Sequence, residues 1–443
     1  MSSYSGIIKY NNSDFHYSYS EDEHALEITG DKTEINKWRN ENENEWIELA
    51  SFDFPKLILK IDKEDFTGRR GTYRYLIDDC FVIWDFHDGN KNEIHRITYQ
   101  SEALNFFYRP KDHLRNIADG LQSFSGTKYR PKIVKHFFRL GDKDVSFFFH
   151  ETVERRPYEA EDVKIYNMLY VECKESLSYD EVVTINTIVK RFLSFVSNSR
   201  NITINKIGIN QYNYRDKKDY TYGHFVTRDK RDGKAHTSEV LAYLDIAPNI
   251  EKLFEVIVKN DICFISLFQY EEGEISTVDI MNICAAFESQ FKITFPNYRS
   301  STLERAKTDI SEAMMELIAK KRESGRNIDS YEEILQSVKL YKDTLLNKLE
   351  YAFNDFKKFV KRYTDNPDFY LGKNYDSIPG IVKKARNKLD HGDKKNEVFT
   401  NELYATTTVR TVVYYMILKN IGVSGKRLAK CIGKLLNIPL IIE

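Results

Sequence analysis

The sequence is poor in the residues that punctuate or cross-link a chain. Only nine prolines are spread over 443 residues, so no proline-rich linker marks a domain edge. Five cysteines (Cys80, Cys173, Cys263, Cys284, Cys431) lie far apart, with no CxxC pair and an odd total. That excludes a disulfide framework and a cysteine-based zinc site, and it fits a reducing compartment. No apolar run approaches the roughly 18 residues of a membrane span. The first residues, "MSSYSGIIKYNNSDFHYS", lack the charged and apolar regions of a signal peptide, so a cytoplasmic protein is expected. The last, "LLNIPLIIE", are too few to span and are expected to pack as core. A dominant charge is lacking too: 66 Lys+Arg oppose 67 Asp+Glu, a formal charge of −1. Any polyanion site must therefore come from local clustering. There is no P-loop, GxSxG, HExxH or GxGxxG, which disfavours a nucleotide- or sugar-modifying activity in the front half.

What the chain does have is apolar content, 41% of residues with 14% aromatic, enough for two or three cores at this length. Roughly the first 125 residues read as β. "KLILKIDK" (Lys56 to Lys63) alternates with a period of two, and Asp88-Gly89-Asn90 between two β-branched and aromatic runs predicts a hairpin. Residues from about 126 to 272 read as mixed. Strand-like runs such as "DVSFFFHETVE" and "NITINKIGINQY" surround a stretch with helical spacing at Val182, Ile185, Val189, Phe192 and Val196.

After Gly273 the pattern turns helical. Ile280, Cys284, Phe287 and Phe291 share one stripe. Ser301-Thr-Leu-Glu304 predicts a capping box, and Ser330-Tyr-Glu-Glu333 the start of a long third helix whose buried face runs through Leu345, Leu349, Ala352, Phe356, Phe359 and Tyr363. A short helix from Ser377 and a long one ending at Gly422 follow. The expected fold class is α+β: a β-rich region over 1–272, subdivided near 125, and an all-α bundle over 275–443.

Chemistry concentrates in "KKARNKLDHGDKK", Lys383 to Lys395. With Ile378 at zero on a wheel of about 100° per residue, Ile381, Val382, Ala385 and Leu389 form the buried stripe. Asn387 and His391 fall near 180° and 220°, one turn apart on the opposite face, and Arg386 near 80° at the edge. His391 is thus placed off the apolar face, and Gly392 after it suits a helix terminus. The plain reading is a solvated helix end, with Arg386 and Asp390 as an i,i+4 ion pair and His391 favoured by the helix dipole. Against it stands the charge. Lys383 to Lys395 holds six cations and two acids, and Lys419 to Lys434 five cations and no acid, as phosphate binding requires. A second Arg-x4-His, Arg231 to His236, contains Asp232-Gly233 and reads as a surface turn.

Arg386-Asn387-x-x-x-His391 at the end of a late helix resembles the R-polar-x3-H motif of HEPN domains, which occur in ribonucleases of bacterial toxin, abortive-infection and CRISPR systems. A β-rich front half before such a bundle resembles the ApeA-type anti-phage proteins. "CAAFESQFKITFPN", Cys284 to Asn297, is similar to that family's first HEPN helix, with Glu288 in its acidic position. The resemblance implies metal-independent cleavage of RNA, structured RNA such as tRNA in particular, without a cofactor. His391 would exchange the proton, Arg386 would stabilise the phosphorane, and Asn387 would orient His391 or hold phosphate. Glu288 would position Arg386, and Lys383, Lys384, Lys388, Lys394 and Lys395 would bind RNA. One motif per chain implies a homodimer with a composite site. The front half would then sense a phage-derived trigger. The alternative is a non-catalytic HEPN-like scaffold that binds RNA, a nucleotide or a protein partner.

Overall fold

The computed structural model describes residues 2–53, 55–61, 66–69, 71–84, 93–108, 133–155, 163–199, 202–213, 218–228, 241–262, 277–341, 343–364, 366–372, 374–390 and 400–435. The fold is α+β, with a β-rich N-terminal region and a helical C-terminal one. Two compact units divide the chain, Met1–Lys259 and Asn260–Glu443.

The first unit begins with strands β1 (Ser3–Tyr10), β2 (Ser13–Ser20) and β3 (Ala25–Thr29), then helix α1 (Lys32–Glu41). Strands β4 (Ile47–Ala50), β5 (Lys56–Leu59), β6 (Phe66–Arg69), β7 (Thr72–Leu76) and β8 (Asp79–Ile83) follow. Next come β9 (Ile94–Ser101), α2 (Glu102–Phe107), β10 (His136–Leu140), β11 (Lys143–Arg155) and β12 (Val163–Leu177). The last elements are α3 (Tyr179–Val196), β13 (Ile204–Asn213), β14 (Lys218–Thr227), α4 (Tyr243–Ile246) and α5 (Ile250–Val258). One sheet has the order β1-β2-β3-β7-β6; the other runs β10-β11-β12-β9-β13-β14-β8-β5-β4.

Period-two burial drives these strands: Phe15, Tyr17 and Tyr19 of β2 point inward while Asp14, His16 and Ser18 do not. Helix α3 starts at a capping box, the Ser178 hydroxyl accepting from the Glu181 N–H while the Glu181 carboxylate accepts from Ser178. Its apolar face carries Phe192 against Phe254 of α5 at 4.7 Å between ring centroids. Helix α1 was not foreseen in the sequence; Asp31 caps it and only Ile35 and Trp38 are buried.

The hairpin expected around Asp88-Gly89-Asn90 does not form between the runs that flank it. The turn residues lie outside the described residues, but β8 is flanked by β14 and β5, and β9 by β12 and β13. Both edges of both strands are occupied, so β8 and β9 cannot pair with each other.

The second unit contains α6 (Thr277–Thr294), α7 (Ser301–Glu323), α8 (Asp329–Leu340), α9 (Leu345–Val360), α10 (Pro367–Leu371), α11 (Ile378–Asp390), α12 (Thr400–Asn420) and α13 (Gly425–Leu435). Ile280, Cys284, Phe287 and Phe291 are buried along α6 as their spacing requires. Two expectations shift. The α7 cap is Ser300, not Ser301, its hydroxyl accepting from the Leu303 N–H at 3.4 Å; Glu304 instead pairs with Lys307 at 3.3 Å. The long third helix is two helices, and neither starts on a Ser330 capping box. Asn327 accepts from the Asp329 N–H at the start of α8, and Tyr341 leaves helical geometry at its end. Thr344 then caps a new helix by accepting from the Asn347 N–H. Leu345, Leu349, Ala352, Phe353, Phe356 and Phe359 form the buried face of α9, while Tyr363 lies past its end. Helix α12 stops at Gly422 (φ +90), where the Gly422 and Val423 N–H groups donate to the Lys419 and Leu418 carbonyls.

Candidate functional site

Three helices of the second unit meet at one carboxylate. The apolar stripe of α6 fixes its rotation and leaves Glu288 on the flank, only part-buried. Glu288 Oε1 accepts from Lys348 Nζ of α9 at 2.9 Å, and Oε2 accepts from Arg386 Nη1 of α11 at 3.2 Å. The side chains of Glu288, Lys348 and Arg386 retain 26%, 15% and 31% of their full exposure, so water screens these pairs only in part. Burial alone would raise the Glu288 pKa. The hydrogen bond and charge of Lys348, then those of Arg386, outweigh burial and hold the carboxyl below its ordinary value. Two cations against one carboxylate leave the trio with one net positive charge.

Helix α11 has the expected rotation. Ile378, Val382 and Ala385 are buried, Ile381 is half-buried, and Lys383, Lys384, Asn387 and Lys388 are exposed. Lys388 lies 3.7 Å from Glu402 of α12. The structure therefore joins Arg386 to Glu288, with Asn387 next in the chain facing solvent. His391, Lys394 and Lys395 lie outside the described residues, as do Arg231 and His236 of the second Arg-x4-His. Sequence reasoning missed Lys348. Its only signal is a position beside Leu349, at the margin of the α9 apolar stripe.

Among the described residues no group of three or more His, Cys, Asp or Glu could hold a metal ion. The four described cysteines are buried thiols outside any disulfide. No described helix is long and apolar enough to cross a membrane.

Residues 282–427 match the family model described as Apea-like HEPN. The matched stretch contains Glu288, Lys348, Arg386, Asn387 and His391. No curated protein and no solved structure matches the chain. The helical unit therefore carries an Apea-like HEPN domain, and such a domain implies a ribonuclease or nucleotide-binding function of the defence type.

Proposed function

We propose that the HEPN domain is a metal-independent endoribonuclease, that tRNA is its substrate, and that the protein acts in the cytoplasm in abortive infection of phage-infected cells. The observation that carries this reading is the Glu288 bridge, which holds Arg386 in place one residue before an exposed Asn387 and five residues before His391 in the sequence. A guanidinium fixed before substrate arrives needs no reorganisation as charge builds on the phosphorane.

In the proposed reaction His391 takes the proton of the RNA 2′-OH. The 2′ oxygen forms a bond to the adjacent phosphorus, and the bond from phosphorus to the 5′ oxygen breaks. The departing oxygen takes up a proton, so the products are a 2′,3′-cyclic phosphate and a 5′-OH with no net gain or loss of water. Arg386 carries the negative charge of the phosphorane, and Lys383, Lys384, Lys388, Lys394 and Lys395 hold neighbouring phosphates. A homodimer brings two His391 residues to one cleft, one as base and its twin as acid. The β-rich region receives the phage-derived trigger.

The deciding experiment is sequencing of RNA ends from cells expressing the wild type or His391→Ala. Cyclic-phosphate ends at defined positions are expected with the wild type alone. Identical RNA ends in both strains would leave the domain as a binding scaffold.

A further inference from the structure

Two helical turns along α6 from Glu288, three aromatic rings converge beside a lysine. Phe295 and Tyr298 follow α6, and Tyr351 lies on α9 one turn past Lys348. Tyr351 is 4.5 Å from Tyr298 and 5.1 Å from Phe295 between ring centroids. The Tyr298 hydroxyl donates to the Asn347 carbonyl at 3.3 Å, which fixes its ring against the start of α9. Yet Tyr351 remains 45% exposed, and Phe295 and Tyr298 are only half-buried. Buried Phe291 lies beneath them, 5.1 Å from the Phe295 and Tyr298 ring centroids, yet the three rings above it stay partly open to solvent.

One cation lies against the rings, and others lie along the chain on either side of it. Lys419 Nζ of α12 lies 5.3 Å from the Phe295 centroid and is held by Asp355 at 2.7 Å. Lys292 and Arg299 are exposed on the chain that carries Phe295 and Tyr298. Beyond Lys419 the chain has no acid before Lys434, and α13 exposes Lys426, Arg427 and Lys430 opposite its buried Leu428, Ala429 and Ile432. The acids near the rings are Asp343 and the exposed Glu350, whose charges both act on Tyr298, and Asp355, which also accepts from the Tyr415 hydroxyl.

Aromatic faces bordered by cations are how proteins hold single-stranded nucleic acid: rings stack on bases and cations follow the backbone. We propose that Phe295, Tyr298 and Tyr351 form a stacking subsite for an unpaired nucleobase flanking the cleaved phosphate, with Lys292 and Lys419 holding the adjoining phosphates. The subsite rests on the ribonuclease reading, because it gives that site its preference for single-stranded segments. Its spacing suits the role. The seven residues from Glu288 to Phe295 cover about 10 Å of helix, the length of about three stacked nucleotides.

The test uses the full chain in a His391→Ala background, so that RNA is bound but not cut. Fluorescence anisotropy follows a labelled twelve-nucleotide oligouridylate and a duplex RNA of equal length. Tyr351→Ala is expected to weaken oligouridylate binding about fivefold or more, the effect of losing one stacked base, and to leave duplex binding unchanged. Tyr351→Phe should bind as the parent does. Tyr351→Leu keeps apolar bulk for folding but offers no ring, so it should lose binding while melting as the parent. Parental affinity in both the Ala and Leu variants would overturn the subsite and leave the cleavage reading intact. An otherwise wild-type chain that neither binds nor cuts RNA would overturn both.

Discussion

Replacing Glu288 with glutamine keeps the shape of the three-helix junction and removes the carboxylate that Lys348 and Arg386 share. Lys348 and Arg386 would then repel each other without the carboxylate between them. Two unit charges about 6 Å apart repel by about 3 kcal/mol at an effective dielectric near 20 and by less than 1 kcal/mol in bulk water. With these side chains 15% and 31% exposed, a loss of about 1–2 kcal/mol is expected after allowing for screening. In a unit of this size that lowers the melting temperature by about 2–8 °C. The diagnostic is the second substitution. Lys348→Met alone removes a pair and should destabilise; in the Glu288→Gln background it removes a repulsion and should restore stability. The four proteins of this cycle, melted under one set of conditions, should show a coupling of about 1 kcal/mol. Glu288→Gln should also slow RNA cleavage, because Arg386 loses the group that fixes it, whereas Lys348→Met leaves that group in place. Additive melting shifts with cleavage unchanged in Glu288→Gln would refute the bridge as a positioning device.

The same carboxyl sets a pH dependence. Its folded pKa is lowered, so its contribution to stability is complete above the unfolded carboxyl value and is lost as pH falls through the folded one. The melting gap between wild type and Glu288→Gln should hold constant from about pH 6 upward and close in acid; a gap that persists in acid counts against the pairing. His391→Ala and Arg386→Ala should each abolish cleavage without changing helical content, while His236→Ala should cut RNA normally. The reverse pattern would move the site to the other Arg-x4-His. Cleavage should survive excess EDTA, leave 2′,3′-cyclic phosphates and spare RNA with a 2′-O-methyl group at the cut position; chelator-sensitive cleavage leaving 5′-phosphates would contradict it. Sedimentation should give a dimer, and a fully active monomer would refute the composite cleft.

Periodicity carried the legible part of the fold. The α6 stripe, the rotation of α11 and the α3 helix follow from apolar spacing, because each of these elements buries one continuous face. Pairing partners were not legible in the same way. The runs flanking Asp88-Gly89-Asn90 look like hairpin arms locally, but β13 and β14, more than a hundred residues later, separate them. Caps were misplaced for a related reason. Ser300 and Ser301 carry the same hydroxyl, and backbone geometry, not composition, decides which one faces the free N–H groups. Thr344 was overlooked because the apolar stripes of α8 and α9 run on as if they belonged to one helix. At the site, a motif names residues within a single short stretch of the chain. Lys348 enters from α9, and only the tertiary contact on Glu288 reveals it.

On the proposed reading, a carboxylate beside Arg386 looks counterproductive, since it cancels charge that RNA would seek. The balance of the whole chain explains how it can help. With a formal charge of −1 there is no long-range field to draw RNA in, and a bare cluster of flexible cations would hold any polyanion without regard to geometry. Glu288 trades some of that attraction for order. It engages a lysine from α9 and an arginine from α11 at 2.9 and 3.2 Å, so the relative register of three helices and the direction of the guanidinium are set before substrate arrives. In the proposed reaction the one net positive charge of the trio favours a phosphorane over a ground-state phosphate, because the phosphorane carries more negative charge. If the domain cuts RNA as proposed, an acid at this position lowers affinity for RNA in general and raises the share of binding that is realised only during cleavage.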